Sequence, residues 1–315
     1  MKTKRIIGHV MMIIGMMIPL YMAGSLSLSI LTRADRYDRY VEQTAEISPE
    51  EWDEIEKRSI AYNERLKGDN QAVDPFEVEE YKVDYQVLRD PDGIYAYISI
   101  PRIDITAPVL LGASRENLLY NFAHVDGTDL PIGGPGTRSV IAAHRGGYEG
   151  RQDLLFAHDI REGDILRIDL GNRILEYRMV NRQIIDPSEW EKLKPVEGKD
   201  LVTLLTCDPI FIYNNRMLID FERVNPGPVV EAHKPTVDSG QIRISESEET
   251  VQSEETVTDT GMSREDLKKR REDFMKEEEG SFHLQKYLVY GVTLVCSLIL
   301  ILFVIRLIRT LKERD

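Results

Sequence analysis

Leu201-Val202-Thr203-Leu204-Leu205-Thr206 is an uncharged, aliphatic and β-branched run that ends at Cys207 and is followed by Asp208-Pro209. A short apolar run stopped by a turn former reads as a buried strand, here one that delivers its last residue, a thiol, to a surface. Runs of the same kind lie at Ile94–Ile100, Ile103–Val109, Ser139–Ala143, Ile165–Leu170, Ile174–Ile185 and Arg216–Val224. Gly and Pro clusters such as Pro131-Ile132-Gly133-Gly134-Pro135-Gly136 separate them. Many short strands with few helical patterns predict a mainly β unit over residues 94–224, a closed barrel or a sandwich.

The whole chain, 315 residues, has room for two domains or for one with additions. A formal charge of −14 argues against a nucleic-acid surface. With 42% hydrophobic and 30% charged residues, collagen-like, wholly disordered and polytopic-membrane classes are excluded. Two cysteines make no disulfide framework, and Cys296 lies in an apolar run.

That apolar run is one of two, and they lie at opposite ends of the chain. Behind residues 1–5, of which Lys2, Lys4 and Arg5 are basic, positions 6–32 carry no Asp, Glu, Lys or Arg, long enough for a hydrocarbon core of about 30 Å. Small residues at Ala23-Gly24-Ser25 would suit signal cleavage, but the run is long for a signal peptide and favours a retained anchor. The second span, 287–305, is followed by a basic tail, 306–315, with Arg306, Arg309, Lys312 and Arg314. Basic clusters outside both spans place both termini in the cytoplasm and everything between them outside the cell. Residues 33–67 read as a helical extension, with Ser48-Pro49-Glu50-Glu51 as a helix start. Residues 68–93 hold acids and turn formers with little periodicity. Residues 225–286 read as an acidic flexible linker: 15 acids stand against 8 bases within 231–280, with room for a charged helix only after Ser263.

The chemistry therefore falls to the β-rich middle. Outside the cell an unpaired thiol is a liability unless it is used, and Cys207 sits at a strand end. A second run, Ser139-Val140-Ile141-Ala142-Ala143-His144, also ends in a functional side chain. A strand-end Cys and a strand-end His suit an activated thiol with a general acid–base partner. His124 is a second candidate base, with no comparable run to deliver it. Arg216 begins the alternating run to Phe221, and its guanidinium could stabilise the oxyanion of acyl transfer.

Thr203-Leu204-Leu205-Thr206-Cys207 resembles the Thr-Leu-x-Thr-Cys motif of sortases, the cysteine transpeptidases of Gram-positive surfaces, with Thr203, Leu204 and Thr206 as its supporting residues. Arg216 stands at the family's spacing from the cysteine, and Ala143-His144-Arg145-Gly146 resembles the family's histidine motif. Tyr97-Ile98-Ser99-Ile100-Pro101-Arg102-Ile103, Gly127-Thr128-Asp129-Leu130-Pro131 and Gly163-Asp164 complete an ordered set. Two anchors, the helical extension and Asp74-Pro75-Phe76, similar to that group's lid, point to class C, the pilus-building sortases. Departures flank the nucleophile: Asp208-Pro209-Ile210-Phe211 stands where pilus-type members commonly read Thr-Pro-Tyr-Gly, and Tyr213-Asn214-Asn215 where Asn-Thr-His is usual.

The resemblance implies a sortase-type closed β-barrel and no metal or organic cofactor. It implies cleavage of a Leu-Pro-x-Thr-Gly-type signal between Thr and Gly, with Cys207 as nucleophile, His144 as general acid and base, and Arg216 as oxyanion stabiliser. The acyl-enzyme would pass to an amine, for a pilus enzyme a lysine of the next pilin. Asp74 would pair with Arg216 and Phe76 would cover the thiol. The partners implied are signal-bearing surface proteins or pilin subunits and the membrane, not nucleic acid. Three other readings stay open: attachment of proteins to peptidoglycan, an extracellular cysteine hydrolase, and a membrane-tethered interaction protein with a dead site.

Overall fold

The structure, a computed structural model, describes residues 2–67, 74–76, 85, 93–146, 153–210, 212–224, 265, 268, 269, 272, 274 and 282–312. Eight strands close into a barrel: β1 Ile94–Ile100, β2 Ile105–Leu111, β3 Phe122–His124, β4 Thr137–Ala142, β5 Ile165–Asp169, β6 Ile174–Ile185, β7 Asp200–Asp208 and β8 Asn215–Arg223. Their order around the barrel is β1-β2-β3-β4-β7-β8-β6-β5, with β5 pairing back onto β1. The β2–β3 and β4–β7 pairs are parallel and the rest antiparallel. Closure leaves no free sheet edge, which suits an extended β unit.

Alternation along each strand divides the apolar residues between two faces. Val202 and Leu204 of β7 join Ile98, Ile168, Ile219 and Phe221 in the main core. Leu205, one residue on, packs with Val140, Ala142, Ile185 and Leu218 in a smaller cluster on the other face, closed by Leu193 and Trp190.

The expected strands form, with local corrections. β2 starts at Ile105, not Ile103, because Pro101–Ile103 winds into a 3-10 turn and Asp104 takes a left-handed conformation (φ 50°). β3 was not expected: three residues are too short for a periodicity, and it forms by wedging between β2 and β4. A one-turn-and-a-half helix, α3 (Arg115–Tyr120), was also unannounced. The motifs named above meet in space. Arg102 makes a two-pronged ion pair with Asp164, at 2.9 and 2.8 Å.

Helix α1 runs unbroken from Lys2 to Ala45, so the expected boundary at residue 32 falls inside one helix. Helix α2 (Pro49–Leu66) starts as read: Pro49 opens it, the Glu51 amide donates to Ser48 Oγ, and the Ser48 amide donates to Glu51 Oε2. Both helices grip the barrel. Tyr37 donates to Asp169 Oδ2 (2.7 Å) and Tyr40 to the Asp169 carbonyl (3.1 Å), at the end of β5. Asn63 of α2 exchanges hydrogen bonds with the Leu130 backbone. Because β6 runs from Ile174 to Ile185, and Ile185 pairs with Arg216, α1 docks at the end of the sheet opposite Cys207.

Helix α4 (Phe282–Lys312) packs along α1, where Ser27 Oγ lies 3.0 Å from Thr293 Oγ1. Both helices are long and apolar enough to cross a membrane, over Thr3–Leu28 and Val289–Lys312. Most of the reading of 225–286 as a flexible linker lies outside the described residues. Those described between 265 and 274 are helical, in keeping with the charged helix expected after Ser263.

The β5–β6 turn is packed so closely that it needs glycine. At Gly171 (φ +91°) a Cβ would lie 2.6 Å from the Trp52 ring and 2.9 Å from Thr44 Cγ2. Gly171→Ala should therefore destabilise the fold by about 2 kcal/mol or more, from left-handed strain plus a clash with two helices. Thermal denaturation should show a clear fall in Tm; an unchanged Tm would mean that α1 and α2 are not seated on this turn.

Candidate active site

Three neighbouring strands bring the expected residues to one end of the barrel. Cys207 is the penultimate residue of β7 and pairs directly with Arg216 of β8. In the parallel β4–β7 ladder, Ala142 pairs with Leu205 and the Ala143 amide donates to the Leu205 carbonyl (3.1 Å). Two residues further along each chain stand His144 and Cys207. They share the parity of Ala142 and Leu205, which places them on the face of the smaller cluster.

That face is covered by Asp74-Pro75-Phe76. Arg216 Nε donates to Asp74 Oδ2 at 2.9 Å and Nη2 lies 2.7 Å from the same oxygen. Both side chains are about 95% buried, with 4% and 5% exposure. Arg216 Nη1 also donates to the Tyr213 and Asn215 carbonyls, which fixes the plane of the guanidinium. Asp74 Oδ1 accepts the Phe76 amide (2.9 Å), holding the turn that aims the ring. The Phe76 ring lies 5.9 Å from the His144 ring and 5.4 Å from Arg216 Cζ, so it bridges the two. The other Asp-Pro sequence between residues 68 and 93, Asp90-Pro91-Asp92, lies outside the described residues.

Burial pushes the Cys207 thiol up to about 11; the Arg216 guanidinium pulls it down and the Asp74 carboxylate adds to the rise. At pH 7 only roughly one molecule in ten thousand then carries the thiolate.

His124 is not at this site. Its ring is fully buried; Nε2 lies 2.8 Å from the Asp129 carbonyl, which can only accept, so Nε2 carries the hydrogen. Nδ1 then accepts from Tyr85 Oη at 3.2 Å. Burial pushes the ring down to about 4, so it is neutral at physiological pH and both nitrogens are engaged. A strand, β3, does deliver it, contrary to expectation, but into the interior.

The supporting residues have separate tasks. Thr203 donates to Asp220 Oδ1 (2.7 Å), which also receives Arg138 Nη1 (3.0 Å), all buried beneath the site. Arg138 Nη1 also donates to the Lys192 carbonyl (3.1 Å), pinning the β6–β7 connection. Removing one partner of such a buried pair costs about 3–5 kcal/mol. Leu204 fills the main core and Thr206 is fully buried. Sequence reasoning missed the buried Arg145, whose Nη1 donates to the Leu154 carbonyl (3.0 Å) and whose Nη2 lies 3.7 Å from Asp208 Oδ1. Arg145 follows His144 and Asp208 follows Cys207, so the pair ties together the two strand ends that carry the site. Its sequence signal was its place in the motif Ala143-His144-Arg145-Gly146, which gave it no task of its own.

A sortase domain model matches residues 98–224. The crystal structure of sortase C-3 from Streptococcus pneumoniae is 45% identical, superposes with a TM-score of 0.57, and the match covers 61% of this chain and 90% of that one. The chain belongs to the sortase family. The sortase C2 structure of Group B Streptococcus Pilus Island 1 is 30% identical (TM-score 0.53; 57% of this chain, 100% of that one). Sortase A of Bacillus anthracis is 28% identical over 120 residues, 38% of this chain; the match spans about half of that relative, 54%. Within the family this sortase is most like class C, the class of these solved neighbours.

The cover of this sortase is testable on its thiol. Asp74→Asn removes a negative charge that disfavours the thiolate, so the pH midpoint for alkylation of Cys207 should fall below that of the wild type. Each unit of fall gives about tenfold more thiolate at pH 7. Asp74→Ala with Phe76→Ala should label faster still with a bulky thiol reagent. Equal rates and midpoints, measured on folded protein, would show that this segment does not guard Cys207.

Proposed function

We propose that this protein is a membrane-anchored cysteine transpeptidase that joins pilin subunits. The observation that carries the reading is the convergence of Cys207, His144 and Arg216 at three adjacent strand ends under Asp74–Phe76.

Substrate binding first displaces Asp74 from Arg216 and Phe76 from the face that it covers. Cys207 Sγ attacks the threonine carbonyl carbon of a Leu-Pro-x-Thr-Gly-type signal, and its proton passes to His144. The carbonyl oxygen takes the electron pair, and the planar donors of Arg216 stabilise it in the place of the Asp74 carboxylate. As the intermediate collapses, the Thr–Gly bond breaks and His144 protonates the glycine amine. The resulting thioester keeps the acyl group reactive. A pilin lysine, as free amine, attacks it and loses a proton to His144; the Cys207 sulfur leaves as thiolate and takes that proton from His144, and an isopeptide bond remains. No ATP is needed, because one amide is exchanged for another.

The membrane assignment is supported by α1 and α4, whose apolar side chains, among them Met11, Ile18, Leu298 and Leu302, face outward. The contacts Ser27–Thr293 and His9–Phe303 run in opposite directions along the two helices. An antiparallel pair favours both termini on one side, the basic cytoplasmic side, with residues 94–224 as the external catalytic domain. The continuity of α1 into the part held by Asp169 favours a retained anchor over a cleaved leader.

Full-length protein in detergent, given a fluorogenic sorting-signal peptide with and without an added amine, tests the chemistry. An amide product is expected; hydrolysis alone would indicate a hydrolase, and no turnover a dead site. Cys207→Ala should form no covalent adduct by mass spectrometry. Arg216→Lys should lose about 100- to 1,000-fold in kcat/KM despite keeping its charge. For topology, protease added to intact protoplasts should cut between the barrel and α4; full protection would overturn the external placement.

A further inference from the structure

Among the described residues between 225 and 281, Glu265, Lys268, Lys269 and Glu272 are exposed, but Phe274 is wholly buried. Its ring stacks on Tyr37 of α1 (5.0 Å between centroids, 17° between planes). Tyr37 and Tyr40 in turn pack on Tyr97 of β1, at 5.1 and 4.8 Å, and Ile174 of β6 completes the box. The Phe274 carbonyl accepts from Ser99 Oγ (3.0 Å), so backbone as well as side chain is held. The walls do not depend on the occupant, since Tyr37 and Tyr40 are fixed by their own hydrogen bonds to Asp169.

We propose that this aromatic box is a docking site for the C-terminal extension, and that Phe274 is the latch that keeps the second membrane helix beside the first. Fifty-seven residues separate Val224 from Phe282, where α4 begins, but only seven separate Phe274 from it. Seating Phe274 transfers the root of α4 from the end of β8 to the side of α1 and shortens its tether about eightfold. Effective concentration falls roughly as the −3/2 power of tether length, so the latch should raise the local concentration of α4 near α1 about twentyfold. The Ser27–Thr293 contact is the pairing that this would maintain. The latch rests on the reading of α1 and α4 as membrane helices.

The test uses the full chain in membranes, with Cys207→Ala and Cys296→Ser removing the native thiols and Ser27→Cys and Thr293→Cys reporting helix pairing. Disulfide formation should be roughly twentyfold slower with Phe274→Ala and close to the starting rate with Phe274→Leu, which still fills the box. Hydrogen exchange should rise around residues 265–274 in the alanine variant and stay unchanged in β7 and β8. An equal cross-linking rate in the alanine variant overturns the latch, because the helices then pair without it. Exchange rising throughout the barrel also overturns it, because Phe274 is then an ordinary core residue. Release of the protein by alkaline carbonate would overturn the membrane reading itself, a result distinguishable from both.

Discussion

The register of β7 between its two neighbours governs the site. β4 runs parallel to β7 on one side and β8 antiparallel on the other. Only that combination brings a C-terminal strand end, a second C-terminal strand end and an N-terminal strand end to one place. His144, Cys207 and Arg216 occupy those three ends. Since side chains alternate, a slip of one residue in β7 would turn Cys207 toward the interior and expose Thr206 and Asp208 in its stead. The register is therefore held twice: by apolar residues of opposite parity in two separate clusters, and by Arg138, Asp220 and Thr203, which join β4, β8 and β7 across the same face.

The electrostatics of the closed site have an internal logic. Arg216 is buried beside a thiol, and alone it would favour the thiolate. Burial keeps the thiol protonated in spite of Arg216, and Asp74, by pairing with the guanidinium, adds to the same effect. The carboxylate sits on the donors that a tetrahedral intermediate would need. In the catalytic role proposed for Arg216, that ion pair would first have to be broken.

Much of this was legible in the chain. Strands such as Ile174–Ile185 and Leu201–Cys207 carry enough periodicity, or enough uninterrupted apolar length, to be read directly, and the capping box at Ser48 and Glu51 fixed the start of α2. The barrel closure and its strand order were not legible in the residues alone, because they depend on pairings between distant segments. β3 escaped notice because Phe122-Ala123-His124 is strand only by virtue of its neighbours. The Cys207–His144–Arg216 set was recoverable because each lies at the end of a readable run. Arg145, Asp208 and Phe274 were not, because burial of a charge, or of one aromatic in a polar stretch, is decided by what packs against it.

The grip of Tyr37 and Tyr40 on Asp169 has a consequence for reach. It lies at the opposite end of the sheet from Arg216, and the eleven steps of β6 from Ile174 to Ile185 span roughly 35 Å of extended chain. If α1 rises from a bilayer, the barrel is a stand-off that lifts the thiol well clear of the lipid headgroups. A protein chain still threaded in the same bilayer would have to present its scissile bond at that height, on about ten extended residues of its own. Geometry of this kind would select among substrates by the length of their stalk, before any side chain is recognised.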